Sequence, residues 1–217
     1  MPKLEPMLRY AITDRVRLAA ESAQQAEPAR QAALLAQAER LAAEGIDFLQ
    51  LRERDLSAAD LASLARNLLA TLRAHNPATR LLVNSRADVA IATHADGVHM
   101  TSSPNELTPA QVRALYAAAA LPDPIISLSC HTLADVARAA SSAPDERPTL
   151  ILFGPVFEKV VGNILVTAGA GLDLLRAACA AAAPIPVLAL GGITRANTDI
   201  CLDAGAAGVA AIRLFLH

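Results

Sequence analysis

Short apolar runs recur along the chain, separated by longer stretches in which apolar positions return every three or four residues. The runs fall at Arg9–Ile12, Phe48–Leu51, Leu81–Val83, Gly97–His99, Ile125–Leu128, Leu150–Phe153, Val187–Leu190 and Val209–Ile212, and each predicts a strand. The stretches between them predict helices at Arg30–Glu44, Ala58–Ala74, Ala87–Thr93, Pro109–Ala118, Leu133–Ala140, Leu172–Ala182 and Arg195–Ala204. Strict alternation of strand and helix predicts a parallel sheet. Eight strands, apolar on both faces, predict that the sheet closes, so residues 1–217 are expected to form one α/β domain, a single (β/α)8 TIM barrel.

The punctuation agrees with this plan. Thr108 precedes Pro109, a capping hydroxyl before a proline suited to a first helical turn, and Ser57 and Thr132 are similar caps. Gly45, Gly97, Gly205 and Gly208 sit where helices give way to strands, and Glu44-Gly45-Ile46-Asp47-Phe48 is echoed by Ala204-Gly205-Ala206-Ala207-Gly208. Two stretches break the rhythm. Thr13–Pro28 is long and polar, an expected active-site loop or extra helical turn. After the eighth strand His217 follows too soon for a full helix, which predicts a shortened or missing last helix. The N-terminal residues, the long first segment or a second subunit are the expected cover for that region.

Composition narrows the classes. Apolar residues make up 53% of the 217, but aromatics only 3% with no Trp, so the core is expected to be Ala, Leu, Val and Ile. The formal charge of −2 and the lack of a basic run argue against nucleic acid. Every apolar run is interrupted before bilayer length, and the N-terminus lacks the apolar core of a signal peptide, so a cytoplasmic protein with no membrane partner is expected. Cys130, Cys179 and Cys201 are an odd number with no CxxC pair, which reads as free thiols.

In such barrels chemistry gathers at the carboxyl ends of the strands. In this chain those ends carry Thr13-Asp14-Arg15, Arg52-Glu53-Arg54, Asn84-Ser85-Arg86, His99-Met100-Thr101, Ser129-Cys130-His131, Gly154 to Lys159, Gly191-Gly192 and Arg213. Solubility alone does not explain charges gathered at one end of every strand. Gly191-Gly192-Ile193-Thr194 is the phosphate candidate, because two glycines let backbone N–H groups approach an anion at a helix start. Ile212 and Arg213 close the other side, Arg213 with a bidentate guanidinium. The plain alternative is a tight turn with positive φ and Arg213 as a solvated charge. His131 is the acid–base candidate, since imidazole exchanges protons near neutral pH; its alternative is a helix-capping or core histidine. His99 reads as buried and hydrogen-bonded, and His75 and His94 as helix-end residues. The histidines and cysteines lack metal-ligand spacing.

Taken in order, YAITD (10–14), QLRER (50–54), NSRADVA (84–90), DGVHM (96–100), SLSCHTLADV (127–136), ILFGPVFE (151–158), PVLALGGIT (186–194) and AGAAGVAAI (204–212) resemble the thiamin-phosphate synthase/TenI family over nearly the whole chain. The resemblance implies a barrel acting on thiamin precursors, with thiazole phosphate near the Gly-Gly turn. Synthases of the family join a pyrimidine diphosphate to thiazole phosphate with magnesium held by two aspartates. Here the expected Asn-Asp pair reads Asn84-Ser85, and the Gly-Gln-x-Asp stretch reads Thr101-Ser102-Ser103-Pro104. The synthase's Arg-Glu-Lys is Arg52-Glu53-Arg54, and its Pro-Thr-x-Thr-Lys loop is Glu158-Lys159-Val160-Val161-Gly162. These departures resemble the TenI branch, the thiazole tautomerases, whose acid–base histidine matches His131. Arg213 stands where the family usually has Ser.

The resemblance therefore implies an isomerase that moves a proton to aromatise a thiazole carboxylate phosphate, without a cofactor. His131 is its expected catalytic residue. Gln50, Arg52, Arg54, Asn84, Arg86 and Ser129 are its expected substrate-binding set, with Arg52, Arg54 or Arg86 as the cation for the carboxylate. Gly191, Gly192, Ile212 and Arg213 are its expected phosphate set. The alternatives are a transferase, thiamin-phosphate synthase with an atypical magnesium site using Glu53, Glu106 or Glu158, and a non-catalytic ligand-binding regulator. The expected partner is a small phosphorylated thiazole, with a homodimer among the expected assemblies.

Overall fold

The computed structural model describes residues 7–20, 26–101, 103, 105–161 and 164–216. Eight parallel strands close into a barrel: β1 (Leu8–Ile12), β2 (Phe48–Leu51), β3 (Arg80–Asn84), β4 (Gly97–Met100), β5 (Ile125–Cys130), β6 (Leu150–Phe153), β9 (Val187–Leu190) and β10 (Gly208–Ala211). The first strand pairs with the last, Tyr10 opposite Ala210, so the ring has no open edge. Helices α2 (Glu27–Ala43), α3 (Ala58–His75), α4 (Ala87–Thr93), α5 (Pro109–Ala118), α6 (Leu133–Ser141), α7 (Gly171–Ala182) and α8 (Thr198–Asp203) separate the strands. The barrel expected from the strand–helix alternation is the observed fold.

Local signals explain several boundaries. The Ser57 hydroxyl accepts from the Asp60 N–H, and Thr108 and Thr132 each form a reciprocal cap with Gln111 and Asp135. The echo between residues 44–48 and 204–208 is one recurring helix ending. Gly45 and Gly205 take positive φ (75° and 96°), so the next residue's N–H reaches back to Leu41 in one case and Cys201 in the other. Gly97 and Gly208 serve a different purpose: a Cβ there would collide with the carbonyl oxygen of Ile125 or Leu8 on the neighbouring strand.

Four features fill in or depart from the expected plan. The polar segment after β1 holds a short helix, α1 (Arg15–Ala20), started by the Asp14 carboxylate accepting from the Arg17 N–H. An antiparallel hairpin, β7 (Lys159–Val161) with β8 (Ile164–Thr167), stands apart from the barrel after β6. The helix expected at Arg195–Ala204 is split into a 3-10 turn at Arg195–Asn197 and then α8, because Asn197 turns its side chain back to cap Thr194. The last strand is followed by a 3-10 turn, Arg213–Phe215, the shortened last helix that was expected, and α2 pins it. Gln37 Nε2 and Arg40 Nη2 both donate to the Phe215 carbonyl, at 2.8 and 2.9 Å.

The strands are not apolar on both faces. Outward-facing residues such as Leu49, Val83, Ile126 and Ile151 pack under the helices. The inner face is divided. On one side Ile12, Leu150, Leu152, Leu188 and Ala210 fill the barrel, and on the other Gln50, His99, Ser127 and Ser129 are buried polar residues. A buried polar group is tolerated when it is hydrogen-bonded, and these are bonded largely to one another.

Behind the mouth lies a buried ion cluster. The Arg15 side chain is 2% exposed and meets Glu53, itself 3% exposed, at 2.8 Å, while Asp55 and Glu27 hold its other nitrogens. Burial pushes the Glu53 carboxyl up, and Thr13 and Arg15 pull against that shift. Replacing Arg15 by Met strands a carboxyl in the interior, which typically costs about 3–5 kcal/mol. Arg15→Met is therefore expected to lower the urea midpoint sharply. Adding Glu53→Leu is expected to restore much of the loss, and equal midpoints for wild type and Arg15→Met would show that the cluster contributes nothing.

Candidate active site

The carboxyl ends of the strands form one face of the barrel, and the chain stitches that face together. The Thr13 N–H donates to the Gln50 carbonyl, and the Arg52 N–H donates to the Thr13 hydroxyl at 2.9 Å. This fixes the start of the Arg52-Glu53-Arg54 turn, whose middle residue is locked by Arg15. Arg52 and Arg54 flank that residue and make no ion pair among the described residues. Arg52 is half-buried, and burial, followed by the Arg54 charge, holds its guanidinium below the usual range. Two cations with no salt-bridge partner, one of them partly desolvated, make a ready anion site. Arg86 differs: its Nε and Nη2 grip Asp88 at 2.8 and 2.6 Å, so a substrate would have to displace that carboxylate.

The end of β3 is joined to β2 and to the loop after β4. Gln50 Nε2 donates to Asn84 Oδ1 at 2.8 Å, Asn84 Nδ2 to Ser85 Oγ at 3.2 Å, and Ser85 Oγ to Glu106 Oε1 at 2.5 Å. Ser85 adopts φ of 55°, unusual for a residue with a Cβ. Two acceptor atoms along this path, Gln50 Oε1 and Glu106 Oε2, are buried without a partner among the described residues. A cavity of about 380 Å³ opens here, lined by Arg54, Asn84, Ser85, Arg86, Thr101 and Glu106 among others. It gathers three of the expected substrate-binding residues but not Gln50, Arg52 or Ser129. Another cavity, of about 300 Å³, lies outside the barrel between α2 and α8 and contains none of the mouth residues. The Ser/Pro-rich turn expected after the fourth strand includes Ser102 and Pro104, which lie outside the described residues.

On the far side of the mouth, His131 follows β5. Its Nδ1 lies 2.5 Å from the Gly154 carbonyl oxygen, which can only accept, so Nδ1 carries the hydrogen. In the neutral ring Nε2 then holds the lone pair, the tautomer a proton acceptor needs. The His131 N–H is tied to Asp135, so the residue also belongs to the cap of α6. Cys130 points the other way, fully buried under the helices, and burial pushes its thiol up to about 12. It keeps its proton near neutral pH and so cannot act as the proton acceptor.

Gly191 and Gly192 have φ of 94° and 68°. A Cβ on either would come within 2.6 Å of Pro155 or Phe157 in the loop after β6. Close packing thus requires these glycines, and the tight-turn alternative accounts for part of the pattern. The N–H groups of Gly192 and Ile193 have no hydrogen bond among the described residues, whereas that of Thr194 is taken by Asn197. Two donors rather than a full helix start are therefore left open at this turn among the described residues. Ile212 is half-buried at the start of the last turn, and Arg213 beside it is exposed.

The magnesium ion used by the synthases is a poor match for the donors present. Glu53 is consumed by Arg15 and one Glu106 oxygen by Ser85, and Glu158 is exposed. Among the described residues no three His, Cys, Asp or Glu side chains gather closely enough to hold a metal. A small hard cation demands several oxygen ligands in near-octahedral geometry, and the described mouth residues do not supply that set. No helix among the described residues is long and apolar enough to cross a membrane.

Sequence reasoning missed three participants. Arg15 appeared only as a strand-end charge; its carboxylate partners lie 12, 38 and 40 positions away, and no local signal links them. The sequence offers Glu106 only as a metal ligand, because its bond to Ser85 spans 21 positions. Tyr10 reads from the sequence as a strand residue alone, yet its hydroxyl is hydrogen-bonded to Ser127 inside the barrel, 117 positions away.

Comparison with known proteins bears on the whole chain. The TMP-TENI family model, described as thiamine monophosphate synthase, matches residues 10–215. A putative thiamine-phosphate synthase of Geobacter sulfurreducens is 41% identical over 180 residues, covering 82% of this chain and 78% of its own. Putative thiamine-phosphate synthase 2 of Aquifex aeolicus is 31% identical over 208 residues, covering 96% and 97%. Thiamine phosphate pyrophosphorylase from Pyrococcus furiosus shares the fold, with a TM-score of 0.72 and 24% identity over 95% of this chain and 85% of that one. A barrel whose strand ends carry these residues, matched almost from end to end, belongs to the thiamine monophosphate synthase family, TMP-TENI.

Proposed function

We propose that the chain binds a phosphorylated thiazole at this mouth and that the reaction its own residues support best is tautomerisation. The observation that carries this reading is the state of His131. Its Nδ1–H is spent on the Gly154 carbonyl, which leaves the Nε2 lone pair of the neutral ring to accept a proton from the substrate. His131 takes a proton from one atom of the non-aromatic thiazole and returns it to another, and the ring gains aromaticity. Arg52 and Arg54 hold the ring carboxylate, and the phosphate sits against the N–H groups of Gly192 and Ile193 with Arg213 beside them. Nothing in that sequence needs a metal.

Thiamin-phosphate synthesis is the second reading, and one observation favours it: the relatives of Geobacter sulfurreducens and Aquifex aeolicus both carry that name. It requires the diphosphate of a pyrimidine to leave, with cationic stabilisation that falls here to Arg52 and Arg54, since the family's two aspartates are replaced and Glu53 and Glu106 are engaged. The two readings share the thiazole phosphate site and divide over His131 and the metal.

Three measurements test these readings. With both thiamin precursors and magnesium, the protein is expected to make little thiamin phosphate. Formation at roughly 1 per second or faster, an ordinary enzymatic rate, would make the synthase reading the correct one. Arg213→Gln is expected to weaken thiazole phosphate binding about tenfold, or about 1.4 kcal/mol, by calorimetry; unchanged affinity would put the phosphate elsewhere. His131→Asn is expected to reduce aromatisation of thiazole carboxylate phosphate about a hundredfold or more while thiazole phosphate still binds. A variant as fast as wild type would remove His131 from the chemistry.

A further inference from the structure

The two glycines that permit the turn after β9 also leave it free to invert. Glycine takes positive or negative φ with similar ease, so a peptide beside it can rotate until its carbonyl oxygen stands where its N–H stood. An oxyanion is attracted to the one and repelled by the other. For the turn to receive an anion, the peptides that follow Gly191 and Gly192 must be held in one orientation.

Both are held by their carbonyls. The Phe157 N–H donates to the Gly191 carbonyl at 3.1 Å, and Asn197 Nδ2 donates to the Gly192 carbonyl at 3.0 Å. A trans peptide is planar, with its N–H pointing opposite its C=O, and neither of these two peptides is cis. Fixing the Gly191 carbonyl thus aims the Gly192 N–H, and fixing the Gly192 carbonyl aims the Ile193 N–H. These are the two donors left open among the described residues. The other arm of Asn197 takes the next N–H along, its Oδ1 accepting from Thr194 at 2.7 Å. A backbone N–H only donates and a carbonyl oxygen only accepts, which fixes the orientation of the Asn197 amide. Asn197 is half-buried, and the Thr194 side chain accepts from its backbone N–H in return. Phe157 belongs to the same loop as Gly154, whose carbonyl takes the Nδ1–H of His131. One segment therefore registers both the glycine turn and the acid–base candidate.

We infer that Asn197 is a positioning residue for this turn: its side-chain amide holds the Gly192–Ile193 peptide so that the Ile193 N–H is presented to an oxyanion. Asn197 itself does not touch the ligand. This role rests on the reading that a phosphate group binds at the turn, and it is independent of the thiazole that carries the phosphate. It also differs from a helix cap alone. A cap alone only consumes the Thr194 N–H, so removing it would lower stability and give an anion a third donor, which would tighten binding.

Inorganic phosphate titrated into the ¹⁵N-labelled protein reads each donor separately by NMR. In wild type the Gly192 and Ile193 amide resonances are expected to move and that of Thr194 to stay. Asn197→Ala is expected to bind phosphate about three- to tenfold more weakly, the scale of one hydrogen bond. Its Ile193 response is expected to shrink, while the Gly192 response, which depends on Phe157, remains. Thr198→Val is the control, because the Thr198 hydroxyl donates to the Thr194 carbonyl at 2.8 Å and touches neither peptide. It loosens the same helix start and is expected to leave phosphate affinity unchanged. Should Asn197→Ala unfold, Asn197→Asp keeps the acceptor for Thr194 and removes only the donor. Its added charge weakens both responses alike, so the ratio of Ile193 to Gly192 shift at saturation is the readout, and that ratio is expected to fall. Tighter binding by Asn197→Ala, an unchanged Ile193 response in either variant, or an equal loss in Thr198→Val overturns the inference. So do wild-type Gly192 and Ile193 amides that ignore phosphate. If phosphate moves both amides but thiazole phosphate does not bind, the role of Asn197 stands and the thiazole reading is what fails.

Discussion

A closed ring of eight strands must satisfy its own interior, since no solvent reaches the middle layers and no edge is open to relieve a misfit. That constraint shapes the rest of this molecule. One half of the interior is filled with Leu, Ile and Ala, and the other with side chains that hydrogen-bond to one another from Tyr10 up to Ser129 and from Gln50 across to Asn84. The mouth inherits this division. Its apolar side leads to the glycine turn after β9, and its polar side to the arginines after β2 and the serine of β5.

Much of the fold was legible because its signals are local. Strand–helix alternation, the caps at Ser57, Thr108 and Thr132, and the apolar runs all act over a few residues, and each appears where the pattern put it. The hairpin after β6 also had a local signal, Gly162-Asn163 between two runs rich in Val, Ile and Thr. The resemblance to the family's loop at Glu158–Gly162 hides it. Helix α1 had a signal in Asp14, a good capping residue before Arg15.

The site was less legible, for a physical reason. His99 was readable as a buried, hydrogen-bonded histidine, but its partners at 127 and 129 are set by the parallel register of β4 on β5. The same holds for Arg15. An exposed-looking arginine in a polar stretch is buried because three carboxylates from two other segments converge on it. Residue types at strand ends point to a mouth full of charge. Which charges cancel, as Arg15 does with Glu53 and Arg86 with Asp88, and which remain for a ligand, as with Arg52, is decided only when distant segments meet.

The hold of α2 on the last turn has a consequence for how the chain matures. Gln37 donates to a carbonyl 178 positions further along, and β1 finds one of its two neighbours only in β10. As the polypeptide emerges from the ribosome, β1 can dock on β2 early, but its other edge stays bare until β10 has been translated. During that interval the growing sheet exposes an unpaired strand rich in Tyr, Ala and Ile, the kind of edge that recruits a wrong partner. Closure by contacts so remote in sequence is intrinsically slow. The nascent chain is therefore most vulnerable to misassembly just before its last strand arrives.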